Sequence, residues 1–141
     1  MAMDTVTSSG GTTALVTGGA GGIGWATACV PAAKGTDVAI CSRPGKTLDE
    51  ADAKIKASGL TNISCYAADV SSEADMKALF ADIGQKFGHL TYLVNNAGID
   101  SFCDLDAFSL SAFRRVLDIT VASVFLAVAE GLPLLRTAKS A

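Results

Sequence analysis

The sequence predicts an α/β domain of three layers, a parallel sheet with helices packed on both faces. Short apolar runs alternate with longer stretches of helical period along most of the chain. The run DVAIC at 37–41 is apolar without alternation, as in a strand buried on both faces. Links between runs are short. Repeated strand–helix–strand units with short links build a parallel sheet with helices on either side.

Residues 1–11, rich in Ser, Thr and Gly, read as a flexible N-terminal segment, and 12–141 as one domain. TALVT at 13–17 is a strand that opens into glycines. Residues 23–34 read as a helix and 37–41 as the second strand. An amphipathic helix follows at 47–58, with Thr47 and Glu50 as a capping box and Gly59 as its stop. Residues 62–67 form a third strand. In the next helix Met76, Leu79, Phe80, Ile83 and Phe87 fall at i, i+3, i+4, i+7 and i+11, on one face. Ser72 caps its start and Gly88 ends it. Residues 90–94 are the fourth strand, and a long helix covers about 111–131. Pro31 falls well inside the first helix, where a proline costs roughly 3 kcal/mol, so a kink or an early end is expected there. Trp25 is bulky for a helix start.

Composition narrows the function. Half of the 141 residues are hydrophobic, enough for a real core. A net charge of -3 gives no basic face for nucleic acid and no attraction to anionic membranes. The start carries no basic cluster with an apolar stretch behind it, so no signal peptide is expected. The most apolar uncharged run, 119–129, falls short of the roughly 20 residues that span a bilayer. The expectation is a soluble, cytoplasmic protein. The four cysteines and the single His89 show no metal-ligand spacing, so reduced thiols and no metal site are expected.

The first strand runs into Thr17-Gly18-Gly19-Ala20-Gly21-Gly22-Ile23-Gly24. Glycines between a strand and a helix permit a tight turn, admit phosphate to the backbone, and let helix pack on strand. The helix start then offers free N–H groups and the positive end of its dipole to a diphosphate. Two templates fit: Gly19, Gly21 and Gly24 match G-x-G-x-x-G, while Gly18, Gly22 and Gly24 match T-G-x-x-x-G-x-G. Either makes this a Rossmann-type dinucleotide-binding turn.

A second motif separates the templates. The fourth strand ends in Asn95-Asn96-Ala97-Gly98. With T-G-x-x-x-G-x-G, with Asp69-Val70 after the third strand, and with Phe113-Arg114-Arg115-Val116-Leu117-Asp118 in the long helix, the chain resembles the short-chain dehydrogenases/reductases. The resemblance implies an NAD(P)-dependent oxidoreductase that moves a hydride between an alcohol or carbonyl and the nicotinamide. It implies that Gly18, Gly21, Gly22, Ile23 and Gly24 cradle the diphosphate, that Asp69 and Val70 meet the adenine, and that Asn96, Ala97 and Gly98 line the ribose and nicotinamide side. Asp69 reads equally as a turn cap, and the Asn pair as a tie between strands.

NAD binders of this fold place an acid at the end of the second strand, against the ribose 2′-OH. Here Cys41-Ser42-Arg43 stands there, with Asp37 too early. Ser42 does not repel a 2′-phosphate and Arg43 can hold it, so NADP(H) is preferred over NAD(H). Gly21, where many NADP-using relatives carry a second basic residue, speaks against that preference.

The resemblance stops before the catalytic machinery. The family's Ser and its Y-x-x-x-K are absent: Tyr66 precedes AADV and Tyr92 precedes LVNN. Thr120 occupies the slot of the family's helical Asn, with one hydroxyl where Asn offers a donor and an acceptor. The fold is therefore expected to be truncated after the fourth strand and its long helix, with that strand as an unpaired edge. The alternative to an enzyme is a catalytically inactive module that binds dinucleotide or a partner chain. The long helix is apolar on more than one face, from Phe113, Val116 and Leu117 to Ile119, Val121 and Phe125, so self-association near 111–131 is expected.

Overall fold

The computed structural model describes residues 11–138; the loose segment expected at 1–11 lies, Gly11 apart, outside them. Four strands, β1 (Thr13–Thr17), β2 (Asp37–Ser42), β3 (Ile63–Ala67) and β4 (Tyr92–Val94), form one sheet in the order β3-β2-β1-β4. All pairings are parallel, with Leu15 opposite Ala39 on one side and Leu93 on the other. Among the described residues β4 is an edge of this sheet, as expected.

The two faces divide the strand residues by alternation. Ala14, Val16, Val38 and Ile40 point to one core, under α1 (Gly22–Ala32) and α2 (Lys46–Ser58). Leu15, Ala39 and Cys41 point to the other, with Met76, Leu79, Phe80 and Ile83 of α3 (Glu73–Phe87). Both faces are apolar because both are covered, which is why these strands lack alternation in the sequence. The five apolar positions read on one face of α3 are its core contacts, with Phe87 partly buried.

Two covering helices seat small residues against their neighbours. Helix α1 buries Gly24, Ala28 and Ala32, one turn apart. The long helix is not α-helical throughout: α4 (Leu110–Leu117) passes through a π-helical segment, Asp118–Ala122, into α5 (Ser123–Thr137). It buries Ile119, Ser123, Ala127 and Gly131 at intervals of four. Gly131, where the helix was expected to end, is instead a packing site within it. A Cβ there would lie 2.7 Å from Phe80 Cε1, so the helix crosses α3 only with no side chain at that point. Most large residues of this helix, among them Leu110, Val121 and Phe125, face outward, while Ile119, Leu126, Leu134 and Leu135 pack against the core. The run Leu110–Thr137 is 28 residues long with a mean hydropathy of 1.7 in its most apolar window, long and apolar enough to cross a membrane by those measures. That overturns the expectation drawn from the uncharged run 119–129 alone. Its small-residue stripe nonetheless seats it on α3 and the sheet.

Several boundaries move for identifiable reasons. α1 ends at Ala32, one residue past Pro31, whose carbonyl accepts from Lys34 and Thr36 amides at 3.0 and 3.1 Å. Asn62 stays outside β3 because its side-chain amide closes the turn before β2, donating to Ala32 O at 2.8 Å and Thr36 O at 2.7 Å. Leu90 precedes β4 because its N–H donates to Leu134 O, not to the sheet. The capping box at Thr47 does not form. Gly45, at φ +137°, is the N-cap without a side-chain bond, and Lys46 puts Thr47 already inside the helix. Gly59 and Gly88 end α2 and α3 in the left-handed conformation, as expected.

Ser72 does cap α3, accepting from Asp75 N at 3.2 Å. Ser72→Ala is therefore expected to cost about 1 kcal/mol, within the usual 0.5–2 for a lost N-cap. Thr47→Ala is expected to stay within about 0.5 kcal/mol. Urea midpoints of the two variants check the contrast.

Candidate functional site

The site begins where β1 ends. Gly18 turns the chain at φ +64°, and a Cβ there would stand 3.0 Å from Ala97 Cα. Gly19 donates its N–H to Cys41 O at 3.2 Å and lies so close to β2 that a Cβ would meet Ile40 at 2.7 Å. Gly22 enters α1 at φ +54° with nothing within 4 Å of a Cβ position, an open approach to backbone. At Gly24 a Cβ would stand 2.5 Å from Asn96 Nδ2 and closer still to Gly18 O. Gly21, by contrast, is extended at φ -159°, a conformation any residue adopts, with Thr47 Cγ2 at 3.6 Å. The backbone thus needs glycine at Gly18, Gly22 and Gly24, the T-G-x-x-x-G-x-G positions, and at Gly19 as well, whereas Gly21 has room for a side chain.

No side chain caps α1. Its first amides and its dipole face the open side of the turn, where an anion would meet unpaired donors. The space above Gly22, the uncapped start and the absent Cβ atoms fit a dinucleotide's diphosphate. Trp25 does not obstruct it: partly buried, it packs in the core beneath α1 and α2, with Lys54 Nζ 6.0 Å from its ring centroid.

Behind the turn sits a clamp. Thr17, 3% exposed, accepts at Oγ1 from the Asn96 and Ala97 amides, both at 3.1 Å. Asn96 Nδ2 donates to Thr17 O at 3.0 Å and Gly18 O at 3.1 Å. The Asn96 side chain is thus directed at the turn, the tie that the sequence left open. Its neighbours Ala97 and Gly98 reach the hollow in front.

That hollow, about 140 Å³, gathers Gly18, Ser42, Arg43, Asp69, Val70, Ala97 and Gly98. Of the expected cofactor residues, Gly21, Gly22, Ile23, Gly24 and Asn96 are not in its lining. Gly22 and Ile23 are exposed at the start of α1, and Gly24 is buried. The sequence missed Ala68, Ile99 and Ile119 in the lining. Ile99 follows the motif with no signal of its own, and Ile119 comes from the long helix by tertiary packing. A second, more polar hollow continues past Arg43 to Lys46 and Thr47, with Asp69 and Asp75 opposite.

Asp69 forms the turn cap that its sequence allowed and also faces the hollow. Its Oδ1 accepts from Ser71 Oγ at 2.6 Å and Ser71 N at 2.9 Å. Those Ser71 bonds hold its carboxyl below the usual range, with Arg43 and Arg115 helping and burial opposing. It is an anion at neutral pH. Cys41 is fully buried, and burial pushes its thiol up to about 11, so it stays neutral. All four cysteines are free thiols. Neither tyrosine lines either of these two hollows: Tyr66 is half-buried in β3, and Tyr92 is exposed on β4. Burial and Asp82 raise the Tyr66 phenol.

A parallel sheet whose first strand opens through these glycines onto an uncapped helix defines a Rossmann-type nucleotide-binding domain. The sequence match narrows the class: the model of the short chain dehydrogenase family matches residues 12–141, and the chain belongs to that oxidoreductase family. It is 36% identical over 131 residues to the rhamnolipids biosynthesis 3-oxoacyl-[acyl-carrier-protein] reductase of Pseudomonas aeruginosa, covering 93% of this chain and 50% of that one. It is 35% identical over 127 residues to the 3-beta-hydroxysteroid dehydrogenase of Comamonas testosteroni, covering 89% and 48%. The Pseudomonas aeruginosa RhlG/NADP active-site complex superposes with a TM-score of 0.84 at 34% identity, over 99% of this chain and 54% of that one. The chain spans about half the length of the curated relatives it matches.

Gly24→Ala is expected to cost about 1–3 kcal/mol through forced backbone movement. Gly21→Ala is expected to change stability by no more than about 0.5 kcal/mol. Gly24 is common to both templates and serves as the reference for a required glycine, so denaturant unfolding of Gly21→Ala against it separates the two.

Proposed function

We propose that this chain binds NADP(H) and belongs to an oxidoreductase that interconverts an alcohol and a carbonyl. The observation that carries the reading is the glycine turn: two positive-φ glycines and one with no room for Cβ, placed before an uncapped helix. In the bound state the cofactor would supply the hydride. The chain's own residues would hold it. The first amides of α1 would take the diphosphate, Asp69 and Val70 the adenine, and Ala97 and Gly98 the ribose side.

The preference for NADP(H) over NAD(H) rests on charge. Arg43 stands at the end of β2, where an acid would favour NAD, and Lys46 shares the adjoining hollow. A hydrogen bond to a charged group contributes about 1.5–3 kcal/mol, so NADPH should bind about tenfold or more tighter than NADH. Quenching of the Trp25 fluorescence measures both. Arg43→Leu should bring the two affinities together. Equal affinities in the unaltered chain would sink the preference, and no binding of either would sink the site.

A second reading has its own observation: no tyrosine in the chain is followed by a lysine four residues on. On that reading the chain holds dinucleotide without redox chemistry. Oxidation of NADPH by the purified chain in the presence of ketones would rule this out.

The outer face of the long helix supports self-association. Val121 and Phe125 are 60% and 73% exposed, and Leu110, Phe113 and Leu117 extend the patch. A dimer or larger species is expected by light scattering, and Phe125→Glu should shift it toward monomer. A monodisperse monomer of the unaltered chain would contradict this.

A further inference from the structure

The end of β1 opposite the glycine turn has a junction of its own. His89, partly buried, lies in the link between α3 and β4. Its Nδ1 stands 3.1 Å from Phe87 O, and its Nε2 stands 2.8 Å from Gly11 O. The His89 carbonyl accepts from Thr13 Oγ1 at 2.9 Å. Thr13 N–H donates to Thr91 Oγ1 at 3.1 Å, and Thr91 N–H donates to Thr13 O at 2.9 Å. The link thus grips the chain at Gly11 and Thr13, where it enters β1. The link is itself fixed to the end of α5, with Leu90 N–H donating to Leu134 O at 3.0 Å.

Both groups that meet the ring are carbonyl oxygens, which only accept. A neutral imidazole has a single N–H, and its other nitrogen carries a lone pair. Against a carbonyl oxygen at 2.8 or 3.1 Å that lone pair repels, whichever tautomer forms. Only the imidazolium donates to both. Phe87 is held in the last turn of α3, whereas Gly11 precedes the first strand, so the Gly11 contact is the one that yields. Charged groups on the elements that meet here are Lys34 and Asp37 around the turn into β2, Lys86 in the last turn of α3, and Arg136 in the last turn of α5. Lys86 Nζ donates to Ser64 Oγ and stands 5.2 Å from the Phe87 ring centroid. Among the described residues no ion pair includes His89, and its ring bonds only to the two carbonyls.

We propose that His89 is a proton-dependent latch: as the imidazolium it fastens the chain at Gly11 to the α3–β4 link, and as the neutral imidazole it releases that contact. Acid therefore tightens the entry to β1, and alkali loosens it. The latch lies at the other end of the strand from the cofactor hollow and stands independently of the dinucleotide reading.

The test compares the full ligand-free chain with His89→Gln, whose side chain does not titrate. Amide exchange is measured at about pH 5.5 and about pH 7.5, on either side of the ordinary imidazole value of about 6.5. Rates are taken relative to an unstructured chain at the same pH. The informative amides are Thr13 and Asp37, the latter donating to Thr12 O at 3.0 Å. Their protection should fall about tenfold from the lower pH to the higher, the equivalent of one modest hydrogen bond. In His89→Gln it should stay within about twofold. The Met76 amide, bonded to Ser72 O at the far end of α3, should not change in either chain. Equal protection of Thr13 and Asp37 at both pH values would overturn the latch. So would the same fall in His89→Gln, or an equal fall at Met76, which marks a global change. Imidazole nitrogen NMR of the unaltered chain decides without the variant: both ring nitrogens should carry protons at the lower pH, and a single neutral tautomer there would overturn the proposal.

Discussion

The site is organised by hydrogen bonds that involve no ligand. Thr17 and Asn96 join the end of β1 to the chain leaving β4, and they do so just behind the glycine turn. The carbonyls of Thr17 and Gly18 would otherwise be left without partners where the strand stops, and unpaired buried backbone is costly. The Asn96 amide takes both. In doing so it occupies the space into which a Cβ of residue 24 would project, so the clamp itself enforces the glycine there. The turn is thereby held open with its amides outward before any cofactor arrives, the condition for an anion site that needs little reorganisation.

Electrostatics then divide the site. Asp69 is held as an anion by Ser71, while Arg43, at the end of β2, lines both hollows with it. A carboxylate and a guanidinium sharing one opening suit a ligand with separate donor and anionic parts. The clamp and the hollow also explain why the motif residues are not equivalent. Asn96 serves the backbone, whereas Ala97 and Gly98, with little or no side chain, let a ligand approach.

Packing on the sheet follows one rule on both sides. α1 and the long helix approach through small residues spaced by four, Gly24-Ala28-Ala32 and Ser123-Ala127-Gly131. Close approach leaves little room inside, so most large side chains of the long helix face out, with Ile119 buried and Leu126, Leu134 and Leu135 partly so. The same composition that makes the segment apolar enough for a bilayer here gives one buried narrow stripe and a broad uncovered face.

The sequence by itself determined the order and type of the elements, the parallel sheet and the glycine turn. Those signals are local: runs of two-sided burial, a 3.6-residue period in α3, and glycines where φ is positive or Cβ has no space. It also identified Ser72, Gly59 and Gly88 as helix ends, because capping needs only near neighbours. Tertiary structure alone decided the rest. Which glycine template applies turned on Gly18, where a Cβ would meet Ala97, 79 residues on in the chain, and on Gly21, which has room for one. The π segment, the continuation of the helix past Gly131, and the hollow's Ile99 and Ile119 all depend on contacts between elements distant in sequence. Thr47 failed as a cap because the chain entered α2 one residue earlier, through a glycine conformation that the helical pattern does not encode.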